Sequence, residues 1–251
     1  MFFWKRKKGK TISSGFEKEA EEQEAEKQTS APEDEMAWVT KGLALKNLGR
    51  YEEAIECYDK ALGLNPKSDS AWGNKGNAMT KLGKYKEAIE CYDKALQINP
   101  EYDITWSNKG AALNGIGKYK EAIGCFDKAL EINPKYDSAW DNKGIALGTL
   151  GKHEEAIECF EKTLEINPRH DKAWYNKGST LRVLGKYKEA IKCYDKAIEI
   201  NPKYDDTWFY KGVALGMLER YEEMIECIEK TLEINPRHEK ARNVILHLRG
   251  G

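Results

Sequence analysis

The apolar and polar positions of this chain repeat one short pattern. In residues 137–170, Trp140, Ala146, Leu147 and Leu150 recur at helical spacing from Ala139 onward. Gly151-Lys152 then breaks the run. Ala156, Ile157, Phe160 and Leu164 mark the buried stripe of a second helix, which starts near Glu154. That helix stops at Asn167-Pro168, where proline cannot continue the hydrogen-bond ladder. Asp137 stands in front as an acidic N-cap candidate. The pattern predicts a helix, a tight turn and a second helix. Gly144 and Ala156 are small enough for the two backbones to approach, with Trp140 and Phe160 filling the space around them.

The same unit recurs with a fixed period. Trp38, Trp72, Trp106, Trp140, Trp174 and Trp208 are each 34 residues apart, and Gly42 to Gly212 and Pro66 to Pro236 keep that step. Six units follow without insertion: residues 35–68, 69–102, 103–136, 137–170, 171–204 and 205–238. A single pair of helices cannot bury both its faces, so neighbouring pairs must stack into one array. The last unit departs from the others, with Glu219 at the turn glycine and with Met224 and Thr231 at alanine places. Residues 239–251 add a capping helix carrying Val244, Ile245 and Leu248; Arg242 stands at the Trp place, so this is not a seventh unit.

Composition narrows the function classes. A third of the 251 residues are charged, yet the net charge is −1 with both signs interspersed, which argues against nucleic acid. No apolar run is long enough to span a bilayer or resembles a secretory signal. The six cysteines, Cys57 to Cys227, fall once per unit at the same helical place. Stacked helices lie about 8–10 Å apart, whereas a disulfide needs Cα atoms within about 7 Å. Reduced packing thiols in a cytoplasmic protein are expected. No Cys/His cluster suggests a metal, no motif suggests a cofactor, and no constellation suggests catalysis. His153, His170, His238 and His247 substitute at scaffold or end positions.

Trp140, Gly144, His153 (Tyr in the other units), Ala156, Phe160 and Pro168 match the main signature places of the tetratricopeptide-repeat family. The resemblance covers all six units. It implies an all-α right-handed superhelical solenoid, six helix–turn–helix repeats plus the capping helix, with a concave groove lined by the first helix of each pair. It also implies a protein–protein interaction scaffold rather than an enzyme. One departure recurs: where the family usually has Leu before the signature Gly, every unit here has Lys, from Lys41 to Lys211. Each second helix carries one acidic residue at a fixed place: Asp59, Asp93, Asp127, Glu161, Asp195 and Glu229. Structural ion pairs are expected, with the lysine stems laid along the core.

The resemblance places the sixth residue of each unit in the groove: Thr40, Asn74, Asn108, Asn142, Asn176 and Tyr210. Asn offers a carbonyl and an amide together, so a ladder of them can hold an extended backbone. The superhelical domain of enzymes that transfer sugar to Ser/Thr is similar in this respect. Neighbouring places hold Gly73, Ser107, Asp141, Tyr175 and Phe209, and one turn on Asn77, Ala111, Ile145, Ser179 and Val213. The expected peptide-binding groove is therefore Asn74, Asn77, Asn108, Asn142, Tyr175, Asn176, Phe209 and Tyr210, polar in the middle and aromatic at its C-terminal end. Family members that grip a chaperone's C-terminal carboxylate need Lys and Asn in one unit, Asn in the next and a basic pair in the third. The pairs Val39/Leu43, Gly73/Asn77 and Ser107/Ala111 do not start such a set. The competing reading is assembly or self-association through the convex face. Residues 1–34 begin with Phe2, Phe3, Trp4, Lys5, Arg6, Lys7 and Lys8 and continue Glu-rich, which reads as a solvated, disordered tail, the alternative being weak docking to an anionic membrane surface or a partner.

Overall fold

The structure, a computed structural model, describes residues 34–250. The tail positions singled out as a membrane contact lie outside the described residues. The chain divides into two compact units, Met1–Pro66 and Lys67–Gly251. In the first, α1 (Glu35–Asn47) pairs with α2 (Tyr51–Leu64). The second holds α3 (Asp69–Lys81), α4 (Tyr85–Ile98), α5 (Asp103–Gly115), α6 (Tyr119–Ile132), α7 (Asp137–Thr149) and α8 (His153–Ile166). It continues with α9 (Asp171–Val183), α10 (Tyr187–Ile200), α11 (Asp205–Gly216), α12 (Tyr221–Ile234) and α13 (Glu239–Gly250). Among the described residues no strand occurs, and the fold is an all-α helical-repeat solenoid.

Within the second unit, the two helices of each repeat pack along their length, and each second helix leans on the next first helix. Successive first helices also touch one another, from α3·α5 through α9·α11. The first helices thus form the tighter inner layer of this stack.

The close approach inside each repeat depends on glycine. A Cβ on Gly42, Gly76, Gly110, Gly144 or Gly178 would stand 2.6–2.9 Å from the ring of Tyr58, Tyr92, Phe126, Phe160 or Tyr194. These rings are at most 2% exposed. The turn is a second glycine requirement. At Gly83, φ is +74°, Lys84 N–H donates to the Met79 carbonyl at 2.9 Å, and Gly83 N–H donates to the Thr80 carbonyl at 3.1 Å. This is the left-handed C-terminal cap of a Schellman motif. The last repeat keeps the same bonds, Arg220 N–H to Leu215 and Glu219 N–H to Gly216, but with Glu219 at φ 62°. A side chain there costs about 1–2 kcal/mol. Glu219→Gly is therefore expected to stabilise the C-terminal repeat by about 1 kcal/mol. A chemical-denaturation midpoint at or below that of the parent chain would refute this.

Asp137 is not the N-cap. Tyr136 holds that place without a side-chain hydrogen bond, and Asp137 is the first helical residue. Its Oδ2 accepts from Asn167 Nδ2 at 3.1 Å, across the open ends of the helix pair. The same latch joins Asn99 to Asp69, Asn133 to Asp103, Asn201 to Asp171 and Asn235 to Asp205 at 2.6–2.9 Å. The Asn of each Asn-Pro step thus ends one helix and clamps the start of its partner. True side-chain caps come from Asp34, Ser68, His170 and His238.

The lysines behave as packing residues. Lys109, Lys143, Lys177 and Lys211 are 18–21% exposed at the side chain and pair with Asp93, Asp127, Glu161 and Asp195 of the preceding repeat at 2.5–2.7 Å. Each ammonium also lies 5.3–6.0 Å from the ring centre of the Trp three residues earlier. Those Trp indoles donate to the carbonyl of the preceding repeat's proline at 2.8–3.0 Å. The Trp therefore sits half-buried at the joint between repeats.

All six cysteines are buried and unbridged. Burial pushes the thiols of Cys125, Cys159, Cys193 and Cys227 up to about 11. Thiolate is the reactive form. The folded chain is therefore expected to resist an aromatic disulfide reagent at pH 8 and to titrate only on unfolding; rapid labelling of these thiols in the native state would contradict this burial.

Candidate functional site

The inner layer brings the asparagine column together on α3, α5, α7 and α9. Asn74, Asn108, Asn142 and Asn176 are all half-buried, and each engages one amide N–H. Asn74 Nδ2 donates to the Ser70 carbonyl at 3.0 Å, and Asn142 Nδ2 to the Ser138 carbonyl at 2.9 Å, each one turn back. Asn108 Nδ2 donates to Asn77 Oδ1 at 2.9 Å, and Asn176 Nδ2 to Asp141 Oδ1 at 3.2 Å, each reaching the preceding repeat. The Oδ1 atoms of Asn108, Asn142 and Asn176 accept nothing from the described residues and are not sealed from solvent. The side chains of Asn108, Asn142 and Asn176 are thus held in one orientation, each with its carbonyl and one N–H left over. Asn77 is a hub: its Oδ1 also accepts from Tyr92 Oη at 2.8 Å. Ile145, beside Asn142, is 39% exposed.

The C-terminal end is aromatic, though not in the way the sequence suggests. Tyr175 is half-buried, with Tyr204, Tyr194 and Tyr210 ring centres at 5.0, 6.1 and 6.1 Å. Phe209 is 5% exposed and packs on Ile228 and Ala241. The His238 ring lies 4.9 Å away. The capping helix α13 covers Phe209, so it backs the first-helix face instead of presenting a wall to it. Tyr210 takes that role, with the Arg182 guanidinium 5.0 Å from its ring centre and Lys240 Nζ donating to its hydroxyl at 3.0 Å.

Arg182 and Lys240 are neighbours of Tyr210 that the column reading misses. Arg182 is seven residues after Tyr175 and so shares its helical stripe, a signal present in the sequence. Lys240 comes from α13, whose docking the repeat pattern does not specify.

Asp141 is the unexpected member. It is 7% exposed, and burial holds its carboxyl above the usual range, opposed by the Asn176 hydrogen bond and the charges of His170 and Lys172. Among the described residues no group of three His, Cys, Asp or Glu is placed to hold a metal ion, and no helix is long and apolar enough to cross a membrane. Two of the histidines do structural work: His170 and His238 cap helices by accepting from Ala173 and Ala241 N–H at 3.1 Å.

Comparisons with known proteins agree with this fold. The tetratricopeptide-repeat model matches residues 36–68, 70–102, 104–136, 138–170 and 171–204, and a second model of that repeat matches 193–226. No curated protein matches the chain. Among solved structures, PilW, described as a widely conserved type IV pilus biogenesis factor, has a TM-score of 0.77 at 22% identity, over 84% of this chain and 98% of its own. YrrB, described as a TPR protein with an unusual peptide-binding site, has 0.62 at 24% identity, over 78% and 100%. MamA has 0.60 at 27% identity, over 64% and 95%. With its repeats matched over most of its length and its inner layer built on their signature residues, the chain belongs to the tetratricopeptide-repeat family.

Proposed function

We propose that the chain is a non-catalytic protein-interaction scaffold that holds an extended segment of a partner against the first-helix face of residues 67–250. The orientation of Asn108, Asn142 and Asn176 carries this reading. Each already spends one N–H on the scaffold and keeps a carbonyl with a second N–H beside it. Such pre-oriented amides lose little entropy on pairing with a peptide backbone. The Tyr175–Tyr210 end suits an apolar or aromatic anchor, where binding energy concentrates. The description of YrrB as having a peptide-binding site supports peptide capture as a use of this fold. The test is capture of a partner from extract by the parent chain, by Asn108→Ala/Asn142→Ala/Asn176→Ala, and by an outer-face control, Lys94→Ala/Lys128→Ala/Lys162→Ala. Loss of capture in the first variant alone is expected. Loss in the control alone would favour assembly through the second-helix face.

A further inference from the structure

The first-helix place of Asp141 holds Gly73, Ser107, Tyr175 and Phe209 in the neighbouring repeats. The joint between first helices thus tolerates no side chain, a hydroxyl or an aromatic ring, and requires no charge. Yet the fourth repeat buries a carboxylate there, 7% exposed. Its Oδ1 accepts one hydrogen bond, from Asn176 Nδ2 at 3.2 Å. Its Oδ2 accepts none from the described residues and is not among the polar atoms sealed without a partner, so it still reaches the surface. No cation pairs with it: Lys143 on the same helix is engaged by Asp127, Lys177 on the next first helix is engaged by Glu161, and His170 and Lys172 act only from a distance. A desolvated carboxylate with one neutral donor is under-compensated within the protein. A ligand cation would supply what is missing. The site lies between Asn142 and Asn176, in the middle of the column that would hold a backbone.

We infer that Asp141 sets the specificity of the groove by selecting a partner segment with a lysine or arginine side chain, whose cation pairs with Oδ2 while the adjoining asparagines hold the backbone. This rests on the groove reading. The test is a positional-scanning library of N-acetylated heptapeptides, each pool fixing one residue at one position, bound to the full chain. Pools fixing Arg or Lys at one position are expected to be enriched. Asp141→Asn keeps the acceptor for Asn176 and removes the charge; it should reduce that enrichment at least about tenfold, the worth of a charge-assisted hydrogen bond. Asp141→Ser, the residue of the third repeat, should do the same. Other positional preferences should persist, and the melting temperature of Asp141→Asn should equal or exceed that of the parent. Enrichment without a basic preference, or a basic preference unchanged in both variants, overturns the assignment and leaves the groove reading standing. A lower melting temperature with unchanged preferences marks Asp141 as structural and also overturns it. Failure of every pool to exceed its binding to the triple asparagine variant removes both.

Discussion

Phe126→Ala is expected to lower stability by about 3–5 kcal/mol, the range for deleting a fully buried aromatic ring. Phe126 is 0% exposed, and its ring lies where a Cβ on Gly110 would come within 2.7 Å. The void would open between α5 and α6, in the middle of the stack. Because a repeat array is held by nearest-neighbour contacts, the damage should stay local and split unfolding into two phases, repeats before and after the lesion. A coupled test removes the ambiguity of a single variant. Gly110→Ala should destabilise by about 1–3 kcal/mol in the parent chain through overpacking. In the Phe126→Ala background it should be neutral or stabilising, since the ring is gone and Ala is the better helix former by about 1 kcal/mol. Additive effects in denaturant titrations would show that the glycine and ring do not share one space.

The largest functional effect is expected from Asn108→Ala/Asn142→Ala/Asn176→Ala. Three lost hydrogen bonds at about 1 kcal/mol each correspond to a fall in affinity of roughly 100-fold. The singles are not equivalent. Asn142 donates only within its own helix, so Asn142→Ala would remove the proposed ligand contact with least disturbance. Asn176→Ala also strips Asp141 of its hydrogen bond, and Asn108→Ala removes a donor from Asn77. Asn142→Ala should therefore weaken binding at unchanged melting temperature. Titration calorimetry with the captured partner checks this; unaltered affinity in the triple variant would exclude the column as a contact.

Much of the scaffold was legible because a period of 34 turns single residues into columns. The Gly–aromatic contacts and the turn glycines follow from such columns, and so do the buried thiols. The repeated Lys and its acidic counterpart also signalled ion pairs. A column gives a residue type at a depth, however, and not the neighbour it turns toward. The lysines pair with the preceding repeat, which spacing within one unit cannot reveal. Asp137 was misplaced because Asp suits both an N-cap and a first-turn acceptor, and its partner Asn167 lies at the far end of the unit. The site was less legible still. Phe209 is withdrawn by the docking of α13, which lies outside the repeat, and Lys240 enters from that same helix. Asp141 was visible only as a polar residue in a variable place, since its burial arises from stacking.

The most direct test of groove binding is site-specific photocross-linking with p-benzoylphenylalanine in place of Ile145, exposed beside Asn142 on α7, or in place of Lys162, exposed on α8. With a captured partner, cross-links from position 145 and none from 162 are predicted; cross-links from 162 and none from 145 would contradict binding on the first-helix face.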